Sequence, residues 1–240
     1  MNGAVETFDV SSLNRDEVLR YLGYAGQQLT DDLDARIDDV IARCLEAIRP
    51  VAIWRTFDVA AAGERPDGVF AVTLDGAALQ LTGESMREHL SDAVAVGVMA
   101  VTVGLGVDRE LRRLATVSPA DQVIFDSAAT TAVERVADAC EASVVAAAAE
   151  RGLYTGFRFS PGYGDLPLQT QPVLLDTVDA RRRLGITMSP TTYLMTPTKS
   201  VTAIVGMYEK PQATSHGSCR DCLCADFCRM CAAGTPCWKR

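Results

Sequence analysis

Six of the eight cysteines in this chain stand close together, at Cys219, Cys222, Cys224, Cys228, Cys231 and Cys237. Their spacing is C-x2-C-x-C-x3-C-x2-C-x5-C. A packed core gains nothing from crowding oxidisable thiols. At this spacing at least four sulfurs come within reach of one centre, so the pattern points to a bound metal or cluster. A zinc ribbon sets its two C-x2-C knuckles about a dozen or more residues apart. Here only five residues separate Cys222 from Cys228. So short a loop suits an iron–sulfur cluster, 4Fe–4S above all, and six thiols leave two beyond a four-ligand site. Zinc is the alternative. Disulfides would need an oxidising compartment, and the first residues lack the basic-then-apolar run of a secretory signal. The expectation is a cytoplasmic protein with reduced thiols.

A second segment combines chemistry-bearing residues with turn formers: Arg158, Pro161, Gly162, Tyr163, Gly164 and Pro167. Arginine offers a planar fork that matches a carboxylate. Gly162 lets backbone N–H groups approach a ligand closely, Pro161 stiffens the turn, and Tyr163 can stack or hydrogen-bond. Such a loop could cradle a small molecule. An ordinary strand-end turn, with Arg158 paired to a protein carboxylate, satisfies the same residue types.

Composition narrows the functions. The net charge is −8, and basic residues are dispersed except at Arg181, Arg182 and Arg183, so no nucleic-acid face is expected. The longest apolar run, residues 93–107, is too short to span a bilayer, and no membrane partner is expected. With two histidines, His89 and His216, a His-rich catalytic or metal centre is excluded.

The elements that must position these groups read as follows. Asn14 and Glu17 resemble a capping box that opens a helix through Leu22, ended by Gly23. Thr30 starts a longer helix with a stripe of Leu33, Ile37, Ile41, Cys44, Leu45 and Ile48, stopped at Arg49 and Pro50. Residues 52–59 and 69–74 read as strands around a polar turn. Residues 82–90 read as a short helix with His89 partly exposed, and 93–107 as a buried strand and turn. Residues 108–115 are helical, and residues 121–126 lead into a long alanine-rich helix from Ser127 to about Arg151, central and burying Cys140. Loop and strand fill 154–171. Pro172 opens a helix through Leu184, closed by Gly185, and 200–208 is a strand. Strands and helices interleave without βαβ repeats, which predicts an α+β fold with a domain over 1–210 and a cysteine-rich tail over 211–240.

The element Arg158-x-x-x-Gly162-Tyr163 resembles the R-x-x-x-G-Y element of the activation domain of cobalamin-dependent methionine synthase, where it binds S-adenosylmethionine. Pro167, the 172–184 helix and residues 184–190 look like the stretch that follows it. Residues 193–206 and 16–24 are similar to stand-alone relatives of that domain. The resemblance thus covers most of residues 13–208, with one sharp motif.

The resemblance implies a bent, mostly antiparallel sheet with flanking helices and S-adenosylmethionine held in a groove. Arg158 would grip the ligand carboxylate, Pro161, Gly162 and Tyr163 would line the site, and Glu134 would contact the ligand. No residue stands out as catalytic. In that family one electron and the methyl group of S-adenosylmethionine restore methylcobalamin from inactive cob(II)alamin. This chain has no folate, homocysteine or cobalamin domain and no D-x-H-x-x-G corrinoid motif. The implied partner is therefore a separate corrinoid methyltransferase, or a methionine synthase lacking its own activation domain, that carries the cobalamin. The tail departs from the family's domain, which takes its electron from a flavoprotein. An iron–sulfur tail, fed by ferredoxin or flavodoxin, would supply that electron. The competing expectation is a non-enzymatic accessory protein with a structural zinc tail.

Overall fold

Strand β5 (Ala95–Thr102) is buried along its whole length. A strand with no polar alternation must be covered on both faces, and it is. Val96, Val98 and Ala100 join one apolar cluster, whereas Ala95, Met99 and Val101 join another on the opposite side. The computed structural model describes residues 3–24 and 27–212. The six tail cysteines lie outside them.

Around β5 an antiparallel sheet is built in the order β4-β3-β2-β5-β9-β6. The other strands are β1 (Val5–Thr7), β2 (Val51–Glu64), β3 (Phe70–Leu74), β4 (Gln80–Thr82), β6 (Tyr154–Phe159) and β9 (Ser200–Tyr208). The long β2 bends the sheet. Its first half pairs with β5 through Val51–Asp58 and with β1 through Val51–Ile53, and its second half leaves to pair with β3. The register shifts between Val59 and Ala61, where the strand changes partners.

One face carries α1 (Arg15–Tyr21), α2 (Asp31–Ala47), α4 (Leu105–Val117) and α5 (Pro119–Glu150). Asn14 caps α1 by accepting from the Asp16 and Glu17 amides. Thr30 caps α2 through the Leu33 amide. Helix α5 begins earlier than its alanine run suggests, because Pro119 occupies a first-turn position where its missing N–H costs nothing. Ala128, Ala129, Ala132, Ala137, Cys140 and Val144 are buried beneath it. Ion pairs from Arg36 and Arg43 to Asp121, and from Arg43 to Glu110, tie α2 to α4 and α5.

The other face carries α3 (Glu84–Leu90), α6 (Gln171–Thr177) and α7 (Ala180–Leu184). A hairpin of β7 (Thr187–Met188) and β8 (Met195–Thr196) lies apart from the main sheet. The α+β class and bent antiparallel sheet expected from the sequence are found.

Several local expectations are corrected. The single helix over 172–184 is two, broken at Asp179, which adopts a left-handed conformation (φ 59°) that aspartate tolerates. The break lets Leu174, Leu175, Val178 and Ala180 all reach the core. Leu33 is exposed, and the buried stripe of α2 is Ile37, Val40 and Cys44. His89 is buried rather than partly exposed. Strands β1, β4, β7 and β8, of two or three residues each, leave too short a pattern to be read.

Helix α4 abuts the end of α2 so closely that a Cβ on Gly106 would lie 2.3 Å from the Ala47 carbonyl oxygen. The obstacle is backbone, which cannot swing aside. Gly106→Ala is expected to cost about 2 kcal/mol or more, by overpacking. The check is the urea midpoint of the variant, and an unchanged midpoint would contradict this packing.

Candidate functional site

The site begins with a defect in pairing. Along β6, Thr155 pairs with Met207 and Arg158 with Val205, so β6 spends three residues where β9 spends two. The extra residue is a bulge, and bulges re-aim the side chains that follow them. Phe157 and Phe159 thereby pack on the His89 ring, with centroids 4.6 and 5.4 Å away. Arg158 points instead towards α5.

There the guanidinium meets three carboxylates. Nη2 donates to Glu134 at 2.8 Å, and Nη1 donates to Asp138 and Glu141, each at 2.6 Å. Glu141 also accepts from the Arg158 backbone N–H at 3.2 Å. Positions 134, 138 and 141 lie on one helical face, because side chains four and three residues apart stack along it. The Arg158 side chain is 22% exposed. Burial works against its charged form, but the hydrogen bonds it donates to Asp138 and Glu141 prevail and raise its pKa above the ordinary value.

Arg158, Glu134, Phe157, Phe159, Pro161 and Tyr163 line one wall of a cleft of about 510 Å³. This lies within the size of small-molecule sites, roughly 300–1,000 Å³. The rest of the lining comes from Tyr193, Leu194, Met195, Thr198, Ser200 and Thr202. Tyr193 holds a left-handed backbone (φ 57°), unusual for an aromatic residue. Tyr163 and Leu194, 69% and 70% exposed, stand at the rim.

The sequence-derived site residues therefore divide. Glu134, Arg158, Pro161 and Tyr163 come together at the cleft. Gly162 is not among the lining residues. Its positive φ of 90° turns the chain, and its N–H donates to the Leu166 carbonyl at 2.9 Å. The Tyr163 N–H is likewise used, on the Ser160 carbonyl at 3.2 Å. The loop's amides thus close the loop on itself rather than pointing at a ligand. The Arg158 fork holds protein carboxylates, as in the strand-end alternative, and also faces the cleft. The six tail cysteines fall outside the described residues. Among the described residues no group of three or more His, Cys, Asp or Glu side chains is disposed to hold a metal ion.

Sequence reasoning did not name Tyr193, Leu194, Met195, Thr198, Ser200 and Thr202 as site residues, although they fall within the 193–206 stretch that carries part of the resemblance. It also missed Asp165, whose carboxylate accepts from the Glu84 and Ser85 amides at 2.5 and 2.9 Å and clamps the loop to the start of α3. The backbone hydrogen bonds of Ser85 and Glu84 lower its pKa.

No protein-family model matches the chain. No curated protein matches it either. Among solved structures, a crystal structure of the MetH reactivation domain bound to AdoHcy is similar, with a TM-score of 0.59 over 88% of this chain and 80% of that one, at 14% identity. This chain has the fold of that reactivation domain. The activation-domain architecture expected from the Arg158 to Tyr163 resemblance is therefore present. No helix among the described residues is long and apolar enough to cross a membrane.

His89 supports the cleft from behind, and its burial pushes its pKa down to about 4, against the opposing effect of a hydrogen bond to the Phe157 backbone. Its Nε2 is buried without a hydrogen-bond partner. An unfolded histidine binds a proton near pH 6.5, which the folded one resists until about pH 4. Stability should therefore fall as pH drops through that window, by about 3 kcal/mol in total, and be fully present above it. Carboxylates such as Glu110, held at about 2 chiefly by its hydrogen bond from Arg113, act only at lower pH. Urea midpoints between pH 7 and 4.5 should slope in the wild type and flatten in His89→Gln. A flat wild-type profile would contradict the burial of His89.

Proposed function

We propose that this protein binds S-adenosylmethionine in the cleft and takes part in the reductive reactivation of a corrinoid methyltransferase carried on another polypeptide. One observation carries the reading. Arg158, Pro161 and Tyr163 of the R-x-x-x-G-Y element, with Glu134, line a ligand-sized cleft in a fold shared with a domain crystallised with AdoHcy.

The residues present fit such a ligand. Phe157, Phe159, Tyr163 and Tyr193 offer faces for an adenine ring. Thr198, Ser200 and Thr202 offer hydroxyls for the ribose. Arg158 with Glu134 forms a paired cation and anion at the wall, able to exchange partners with the carboxylate and ammonium of a methionyl group. S-adenosylmethionine, when bound, supplies an electrophilic methyl group. The chain's own work is to hold and orient it: β6 and α5 fix Arg158, the Asp165 clamp fixes the loop, and the exposed Tyr163 and Leu194 form the rim towards the partner.

The tail over 211–240 is the electron-handling part of this reading. Cys219, Cys222, Cys224, Cys228, Cys231 and Cys237 would hold a 4Fe–4S cluster that accepts an electron from ferredoxin or flavodoxin. Support for this lies in their spacing.

Three measurements test the parts separately. Arg158→Ala should weaken S-adenosylmethionine binding by about 2–4 kcal/mol, because a charged partner is lost and the others are stranded. An unchanged affinity would refute the cleft assignment. Anaerobically purified protein should contain about four iron and four sulfide per chain with a broad visible band that bleaches on reduction. Cys222→Ser or Cys228→Ser should then abolish electron delivery and leave ligand binding intact. One zinc and no sulfide would instead give the tail a folding or docking role.

A further inference from the structure

The arginine of the cleft wall is held by more negative charge than it can balance: Glu134 lines the cleft with it, and Asp138 and Glu141 bind it from outside the lining. Three carboxylates on one guanidinium leave two formal negative charges. Neighbouring cations do not correct this. Lys199, immediately before β9, is paired with Asp126 of α5, and Arg135 shares its own cleft with Asp9 and Asp138. Arg158 is mostly shielded from solvent, so its surroundings are screened less than a surface pair would be.

We infer that this over-neutralised arginine makes the cleft selective for a cationic sulfonium over the neutral thioether left after methyl transfer, with Asp138 as a positioning residue that acts through Arg158. The inference rests on the reading that the cleft takes an adenosyl ligand, and it names the ligand form that the site prefers. An isolated arginine fork would hold the carboxylate of S-adenosylmethionine and of S-adenosylhomocysteine equally. A wall of net negative charge does not, because only the former carries the sulfonium charge. The consequence is functional: the spent ligand leaves and the methyl donor replaces it.

Asp138 is the residue to change. It is 52% exposed, touches Arg158 only at Nη1 and is not among the residues lining this cleft. Glu141 and Glu134 remain on the guanidinium when it is neutralised, whereas Glu141 also holds the β6 backbone.

The experiment is calorimetric titration of the full-length protein with S-adenosylmethionine and, separately, S-adenosylhomocysteine. Wild type should bind the sulfonium about tenfold or more tightly, equivalent to about 1.4 kcal/mol. In Asp138→Asn that ratio should fall several-fold while homocysteine-ligand affinity holds, and Asp138→Glu should restore it. Added salt should compress the wild-type ratio. A general loosening of the site would weaken both ligands together and overturn the role of Asp138. Equal wild-type affinities would overturn the selectivity alone. Binding of neither compound would overturn the ligand reading and this inference with it.

Discussion

The close seating of α5 on the sheet is the constraint on which the rest of the structure depends. Small side chains on the helix and Gly97 on β5 let them approach; a Cβ on Gly97 would lie 2.6 Å from Val144 Cγ1. Close approach brings dispersion contacts along a 32-residue helix. It also fixes the rotation of that helix. Once Ala128, Ala132, Val136 and Cys140 face the core, Glu134, Asp138 and Glu141 must emerge beside the edge strand β6.

Electrostatics at the cleft follow from that geometry. A guanidinium held by three carboxylates is oriented before any ligand arrives, and little side-chain entropy remains to be lost on binding. The same pairing means that a ligand carboxylate must share or displace existing partners. The Arg158 fork is therefore better understood as one half of a charged wall than as a free hook. The loop behaves likewise: Gly162 and Tyr163 spend their amides inside the turn, and Asp165 fastens it to α3.

Behind the cleft, His89, Phe157 and Phe159 form a small aromatic layer between the helix α3 and the bulged strand. The Tyr208 hydroxyl donates to the His89 carbonyl, and Gly156 leaves room for both rings. A neutral, buried imidazole there links the integrity of the cleft to pH. The two buried thiols, Cys44 and Cys140, are pushed up to about 12 by burial and take no part in this chemistry.

The sequence by itself determined the elements whose signals are local. Asn14 and Thr30 mark helix starts by side-chain caps, β5 is marked by an apolar run and β9 by its strand composition and alternation, and Gly185 marks a left-handed stop. It also exposed Arg158, Pro161, Gly162 and Tyr163 as a group, because a turn rich in glycine and proline next to an arginine is readable as a string, whereas Glu134 was reached only through the family resemblance. Only the tertiary structure decided what Arg158 touches. Asp138 and Glu141 are ordinary helix carboxylates until the β6 bulge and the seating of α5 bring them to one guanidinium. The same holds for Tyr193 and Met195, which reach the cleft by long-range packing, and for His89, which two phenylalanines far along the chain bury. Caps, turns and runs act over a few residues, whereas charge pairing and burial depend on which distant segments the core brings together.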